Sequence, residues 1–256
     1  MTGDGMTLPP TLRILVVQPE LDDPPHLFGR WLEEAGAELE VVHPYAGDAL
    51  PTLDGHAGLL VMGGAPSAND DELLPWIGAV KDLLRDAVAE DVPTLGICLG
   101  HQLLGAALGG RVAPNPRGQQ VGLLETGWTD AAGDDPLFAG VATPRRGVHF
   151  NDDLVLEPPP GAVVLARTAQ GELQVVRHAP RAWGVQLHPE VDAAVVATWV
   201  SDTERARMAE RGIDADEVLE SIAAARAELD HAWAPLAAGF ADLALGPARG
   251  QGQDAP

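Results

Sequence analysis

Through the first hundred residues, short continuous apolar runs alternate with longer stretches in which apolar side chains recur every three or four positions. Residues 12–17 (LRILVV), 38–42, 58–62 and 92–97 carry the first pattern and read as buried strands. Between them, residues 26–35 read as a helix stopped by Gly36. Residues 74–90 read as a second helix, with Ile77, Val80, Leu83, Leu84 and Val88 supplying its apolar positions. Strands separated by helices are joined by crossovers, which place neighbouring strands parallel. The expected fold class is therefore α/β: a doubly wound, mostly parallel central sheet flanked by helices. In such sheets ligands collect at the carboxyl ends of the strands.

From residue 112 to 190 the pattern shifts to short strands, at 121–126, 162–168, 172–178 and 182–187, separated by turns. The run Pro158-Pro159-Pro160-Gly161 is turn chemistry within a small β-rich insertion, not a linker between domains. After Val191 helical periodicity returns at 193–200 and 203–211. One longer helix is expected over 214–243, opened by an Asp214 cap with Glu217 three residues on. This gives an α/β domain over 1–200, a C-terminal helical extension over 201–245, and a tail over 246–256 rich in Gly, Gln and Pro that is expected to be disordered. The extension packs on the same domain or presents a face for a homodimer.

Charge narrows the partners. The 38 acidic side chains outnumber 16 basic ones, a formal charge of −22, and that field repels nucleic acid and anionic lipid. Residues 1–10 lack the basic start and apolar core of an export signal, and no apolar run approaches the ~18 residues of a membrane span. The single cysteine cannot form an internal disulfide. A cytoplasmic protein is expected, with no nucleic-acid or membrane partner, no metal and no cofactor. His149 beside Asn151, Asp152 and Asp153 reads as a solvated turn, not a metal cluster, and His101 as packing or capping for its helix. Trp76, Trp128, Trp183, Trp199 and Trp233 read as core or interface residues.

That cysteine, Cys98, lies in Gly96-Ile97-Cys98-Leu99-Gly100-His101-Gln102, where an apolar run meets a turn that opens a helix. Glycine is 29 of 256 residues, so glycine at both flanking positions has a chance of about one per cent. The pattern is that of a nucleophile elbow, in which a tight strand-to-helix turn carries the reactive atom at a helix N-terminus that favours a thiolate. The backbone N–H of Leu99 would then point at an oxyanion. Gly63-Gly64, at the carboxyl end of another strand, is the candidate for a second donor. Gly184-Val185-Gln186-Leu187-His188-Pro189-Glu190 supplies a base: an imidazole just past an apolar strand, with a carboxylate two residues on to set its tautomer.

The Cys98 and His188-Pro189-Glu190 stretches, in this order and about ninety residues apart, resemble the two signatures of class I, triad-type glutamine amidotransferases, in particular stand-alone members similar to the amidotransferase domain of GMP synthetase. The resemblance covers residues 12 to 200. It implies the flavodoxin-like amidotransferase fold, and an enzyme in which Cys98 attacks the side-chain amide of L-glutamine, releases ammonia and leaves a γ-glutamyl thioester for water to cleave. His188 would be the acid and base, Glu190 its orienting partner, Gly64 and Leu99 the oxyanion donors, and Gln102 a substrate contact. Gly63 belongs to the same turn. Relatives often carry Gly-Gly-Pro there and His-x-Asp further on, where this chain has Ala65-Pro66 and Asn151-Asp152-Asp153. Asn151 and Asp152 thereby become candidate substrate contacts. Ammonia is useful only if trapped, so a separate synthetase or other acceptor protein is the expected partner. Two rivals stand beside this: a hydrolase of γ-glutamyl amides that releases a larger amine with the same triad, and a non-catalytic regulatory protein on the same fold.

Overall fold

A computed structural model describes residues 12–143 and 145–246. Along the chain run β1 (Leu12–Val17), α1 (His26–Glu34), β2 (Ala37–Val42), β3 (Gly58–Val61), α2 (Pro75–Ala89), β4 (Thr94–Ile97) and α3 (Leu99–Ala107). There follow β5 (Arg111–Pro114), β6 (Gln120–Glu125), β7 (Gly127–Trp128), β8 (Arg146–Asn151), β9 (Asp153–Glu157), β10 (Val163–Arg167), β11 (Leu173–Ala179) and β12 (Ala182–Val185). Helices α4 (Ala193–Trp199), α5 (Asp202–Glu210), α6 (Ala215–Ala224) and α7 (Arg226–Leu245) close the described chain.

The central sheet has the order β2-β1-β3-β4-β12-β11-β10-β7. Its first five strands pair in parallel, and β11, β10 and β7 add an antiparallel wing. Two antiparallel ladders, β5 with β9 and β6 with β8, stand outside it. Successive side chains of a strand face opposite ways, so the apolar runs feed two layers. Ile14, Val16, Leu60, Met62 and Ile97 pack with Phe28 and Trp31 of α1 and with Trp233 and Phe240 of α7. Leu15, Val17, Leu59 and Val61 pack with Val80 and Leu84 of α2 and Leu103 of α3. This is the mostly parallel, helix-flanked sheet expected from the alternation of patterns.

Two expectations need correction. The helix expected over 214–243 is two helices, separated at Ala225, where the backbone leaves helical geometry (φ −86°, ψ 3°). The break lets Ile222 of α6 and Leu229 and Trp233 of α7 enter the same core, and the run Ala223-Ala224-Ala225 contains no breaker to announce it. Asp214 does cap α6, accepting from the N–H groups of Asp216 and Glu217. His149 is no solvated turn: it lies buried on β8, paired with Gly122 of β6. Asp152 alone separates β8 from β9, and the polar run Asn151-Asp152-Asp153 hides two strands behind one turn. Trp199, expected as a core or interface residue, packs half-buried against the core at the edge of the site described below. The tail beyond Gly246 lies outside the described residues. Among the described residues no helix is long and apolar enough to cross a membrane.

Candidate active site

Cys98 sits between β4 and α3 with φ 48° and ψ −104°. For a residue with a Cβ such a conformation costs about 1–3 kcal/mol and persists only where the surroundings dictate it. Here they do. The Cys98 N–H donates to the Val185 carbonyl of β12 at 2.8 Å, and the Gly100 N–H to the Met62 carbonyl beyond β3 at 3.1 Å. The flanking glycines are obligatory: a Cβ on Gly96 would lie 2.4 Å from the carbonyl carbon and oxygen of Gly100, and one on Gly100 would lie 2.1 Å from the Val61 oxygen. The turn thus seats α3 directly on the neighbouring strand.

The base arrives from the next strand over. Beyond β12, the His188 N–H donates to the Val148 carbonyl at 2.8 Å, and the His188 Nδ1 lies 2.7 Å from the Glu190 Oε1. Cys98, His188 and Glu190 are all buried, with exposures of 6%, 3% and 0%. Burial is the strongest single influence on the His188 proton and opposes it. The charges of Cys98 and Glu190 and hydrogen bonds to both outweigh burial, so the imidazole is held well above its ordinary pKa. The Trp199 ring packs 4.7 Å from the imidazole, centroid to centroid, while its Nε1 donates to the Asp22 carbonyl at 2.9 Å.

Gly63 and Gly64 follow β3. A Cβ on Gly64 would meet Leu99 Cδ2 at 3.0 Å, so this turn and the first residue of α3 are neighbours. Neither the Gly64 nor the Leu99 N–H has a backbone acceptor among the described residues. The Gln102 Nε2 donates to the Asp153 carbonyl at 2.9 Å and to the Gln186 Oε1 at 3.3 Å, and the Gln186 Nε2 lies 3.5 Å from the Cys98 sulfur. The Asn151 Nδ2 donates to the Gln120 Oε1 at 3.3 Å and the Asp153 carbonyl at 3.2 Å. Asp152 is paired with Arg207 of α5 at 2.5 Å.

A cavity of about 500 Å³ opens on this group, lined among others by Cys98, His188, Gly64, Gln102, Asn151 and Asp152. That volume falls in the range of pockets that enclose small-molecule ligands. Glu190, Leu99 and Gly63 are not among its lining residues and stand behind it. Sequence reasoning missed four residues here. Gln186 was in plain view inside the His188 motif, whereas Trp199, Arg207 and Asp23 carry no local pattern that sets them apart.

Asp23, in the β1–α1 loop, is buried, and its Oδ1 has no hydrogen-bond partner. Burial, with added repulsion from Glu190, Glu20 and Asp22, pushes its carboxyl up to about 7 even though His188 pulls the other way. Ligand-type atoms of Asp23, His188 and Glu190 lie within 4.8 Å of one another. The close bond between His188 and Glu190 already accounts for two of the three as an acid–base pair.

The class I glutamine amidotransferase family matches residues 26–198, and the chain belongs to that family of amidotransferase enzymes. It is 32% identical over 173 residues to one subunit of the glutamine-hydrolysing GMP synthase of Saccharolobus solfataricus, covering 65% of this chain and 83% of that one. It is also 32% identical over 205 residues to the glutamine-hydrolysing GMP synthase of Aeropyrum pernix, covering 77% of this chain but 38% of the relative's length. Among solved structures, a glutamine amidotransferase from Methylobacillus flagellatus superposes with a TM-score of 0.78 at 27% identity, over 96% of this chain and 99% of that one.

Proposed function

We propose that this chain hydrolyses the side-chain amide of L-glutamine through a γ-glutamyl thioester on Cys98. The sulfur attacks the amide carbon, and the oxyanion that forms is met by the N–H groups of Gly64 and Leu99, which have no backbone acceptor among the described residues. As the carbon–nitrogen bond breaks, the electron pair leaves with nitrogen. His188 supplies the proton that makes the leaving group ammonia. Neutral His188 then takes a proton from water, whose oxygen attacks the thioester. Glutamate departs and the sulfur is restored. Glu190 holds the imidazole tautomer and compensates its charge during both halves of the cycle. Gln102 and Gln186 tie the far wall to the sulfur, and Asn151 and Asp152 edge the space left for the glutamyl group.

The observation that carries this reading is a strained Cys98 that lines one cavity with a buried His188 whose Nδ1 is 2.7 Å from Glu190. The Saccharolobus relative is by name one part of a divided synthase, which favours transfer of ammonia to a separate acceptor enzyme here as well. The test is intact-mass analysis after exposure to a glutamine analogue with a diazoketone in place of the amide. One adduct on native protein and none on Cys98→Ala is expected. An adduct elsewhere, or none, refutes the thioester.

A further inference from the structure

We propose that the cavity carries a cation subsite on the leaving-group side of Cys98, formed by Glu20, Asp22 and Asp23, and that it admits γ-glutamyl amides whose released amine bears a second ammonium group. The inference rests on the acyl-enzyme reading above and names the substrate class of that same site.

Six carboxylates line the cavity, and they fall into two groups. Those on the far wall are engaged: Asp152 with Arg207 at 2.5 Å, Asp153 with the Ser67 hydroxyl at 2.7 Å, and Glu204 with the Gln119 amide at 2.7 Å. Those of the β1–α1 loop are not. The side chains of Glu20, Asp22 and Asp23 have no ion pair or hydrogen bond among the described residues. Their loop is nevertheless held in place, because the Gln18 Nε2 donates to the carbonyls of Glu20 and Leu21 at 2.8 and 3.1 Å, and Trp199 clamps the Asp22 carbonyl. Asp23 gives the independent sign of a missing partner. It is 7% exposed, lines the cavity, and carries an unpartnered Oδ1. A buried carboxylate that accepts no hydrogen bond is costly; the charge of His188 offsets that cost only in part, since the Asp23 carboxyl is still pushed up to about 7, and a further cation beside it would offset the rest.

The side on which these groups lie identifies what they would bind. His188 must face the departing nitrogen in order to protonate it, and Asp23 stands within 4.8 Å of His188. Both crowd Gly63: a Cβ there would lie 3.0 Å from the Asp23 Oδ1 and 3.0 Å from the His188 Cε1. Glu20 continues the wall over Gly64. A neutral ammonia molecule has no use for three carboxylates beside its exit. A primary amine with an ammonium group a few carbons further on does. In the reaction the γ-glutamyl carbon–nitrogen bond breaks, the nitrogen takes its proton from His188, and water cleaves the thioester, yielding glutamate and the diamine with no further reactant.

The test compares three amides of equal chain length on the full chain: γ-glutamyl-1,4-diaminobutane, γ-glutamyl-pentylamine, and a γ-glutamyl amide ending in a carboxylate. The expected kcat/KM is about tenfold or more higher for the diamine than for the neutral amide, and lowest for the acid. In Glu20→Gln/Asp22→Asn the ratio of diamine to neutral amide falls toward one. A native ratio of one or less overturns the subsite, as does a ratio that the double variant leaves intact. Diazoketone labelling of Cys98 separates the two readings. Labelling with a ratio of one refutes only the cation subsite, whereas no labelling removes the acyl-enzyme and the subsite with it.

Discussion

Replacing Asp23 by Asn removes a carboxyl that the fold holds at a cost. The folded protein keeps the Asp23 proton up to about pH 7, whereas a free aspartate releases it near 3.8. Between those values the unfolded chain binds fewer protons than the folded one, so stability falls as pH rises, and above pH 7 the loss is complete. At 1.36 kcal/mol per pH unit the penalty is about 4 kcal/mol. Asp23→Asn keeps the shape and discards the charge, so at pH 8 it is expected to be more stable than the native chain. At pH 3.5 the advantage vanishes, because both states are then protonated. The assay is urea unfolding of both proteins across pH 3.5 to 8. It is read as the difference between them, so that titrating groups not coupled to Asp23 cancel. Parallel curves, or a variant less stable at pH 8, would refute the reasoning.

Cys98→Ser is expected to lower kcat by about 10⁴-fold or more, and Glu190→Gln to be about 10- to 100-fold less damaging, since the orienting member of a triad costs less to remove than the nucleophile. The Glu190 variant also loses one of the charges that hold the His188 proton against burial. The alkaline limb of its kcat/KM profile should therefore move to lower pH, and an unchanged limb would contradict the assigned role. Gly100→Ala drives a Cβ to 2.1 Å from the Val61 oxygen. About 1–3 kcal/mol of stability should be lost, seen as a drop of several degrees in Tm; an unaltered melting curve would mean α3 does not rest on β3 so closely.

What could be read in the chain before its structure follows from how local each signal is. Strand β1 coincides with the apolar run at 12–17, and β3 and β4 fall within theirs, because strands buried on both faces must be apolar throughout. The Cys98 turn was legible because both glycines flank the cysteine in sequence, although only Gly96 answers to a contact within the turn and Gly100 to one with β3. Glu190 could be paired with His188 because only Pro189 separates them. Strands β8 and β9 escaped notice because Asn151 and Asp153, polar and at their ends, mimic a loop. Asp23 and Trp199 were invisible for another reason: their importance lies in their closeness to His188, within 4.8 Å for Asp23 and 4.7 Å between rings for Trp199, and nothing in their own segments encodes that proximity.

β4 and β12 are adjacent and parallel, with Ile97 opposite Val185. Cys98 follows β4 directly and His188 lies three residues beyond the end of β12, so sulfur and imidazole are carried by neighbouring strands whose spacing of about 4.8 Å is dictated by backbone amides. The turns between α3 and β11 can be lengthened, trimmed or redecorated over evolutionary time, so long as the start of α3 stays on β3 and the Val148 carbonyl still holds His188. Novelty in what the pocket accepts can thus accumulate in those turns while the two strands that carry the reacting groups stay as they are.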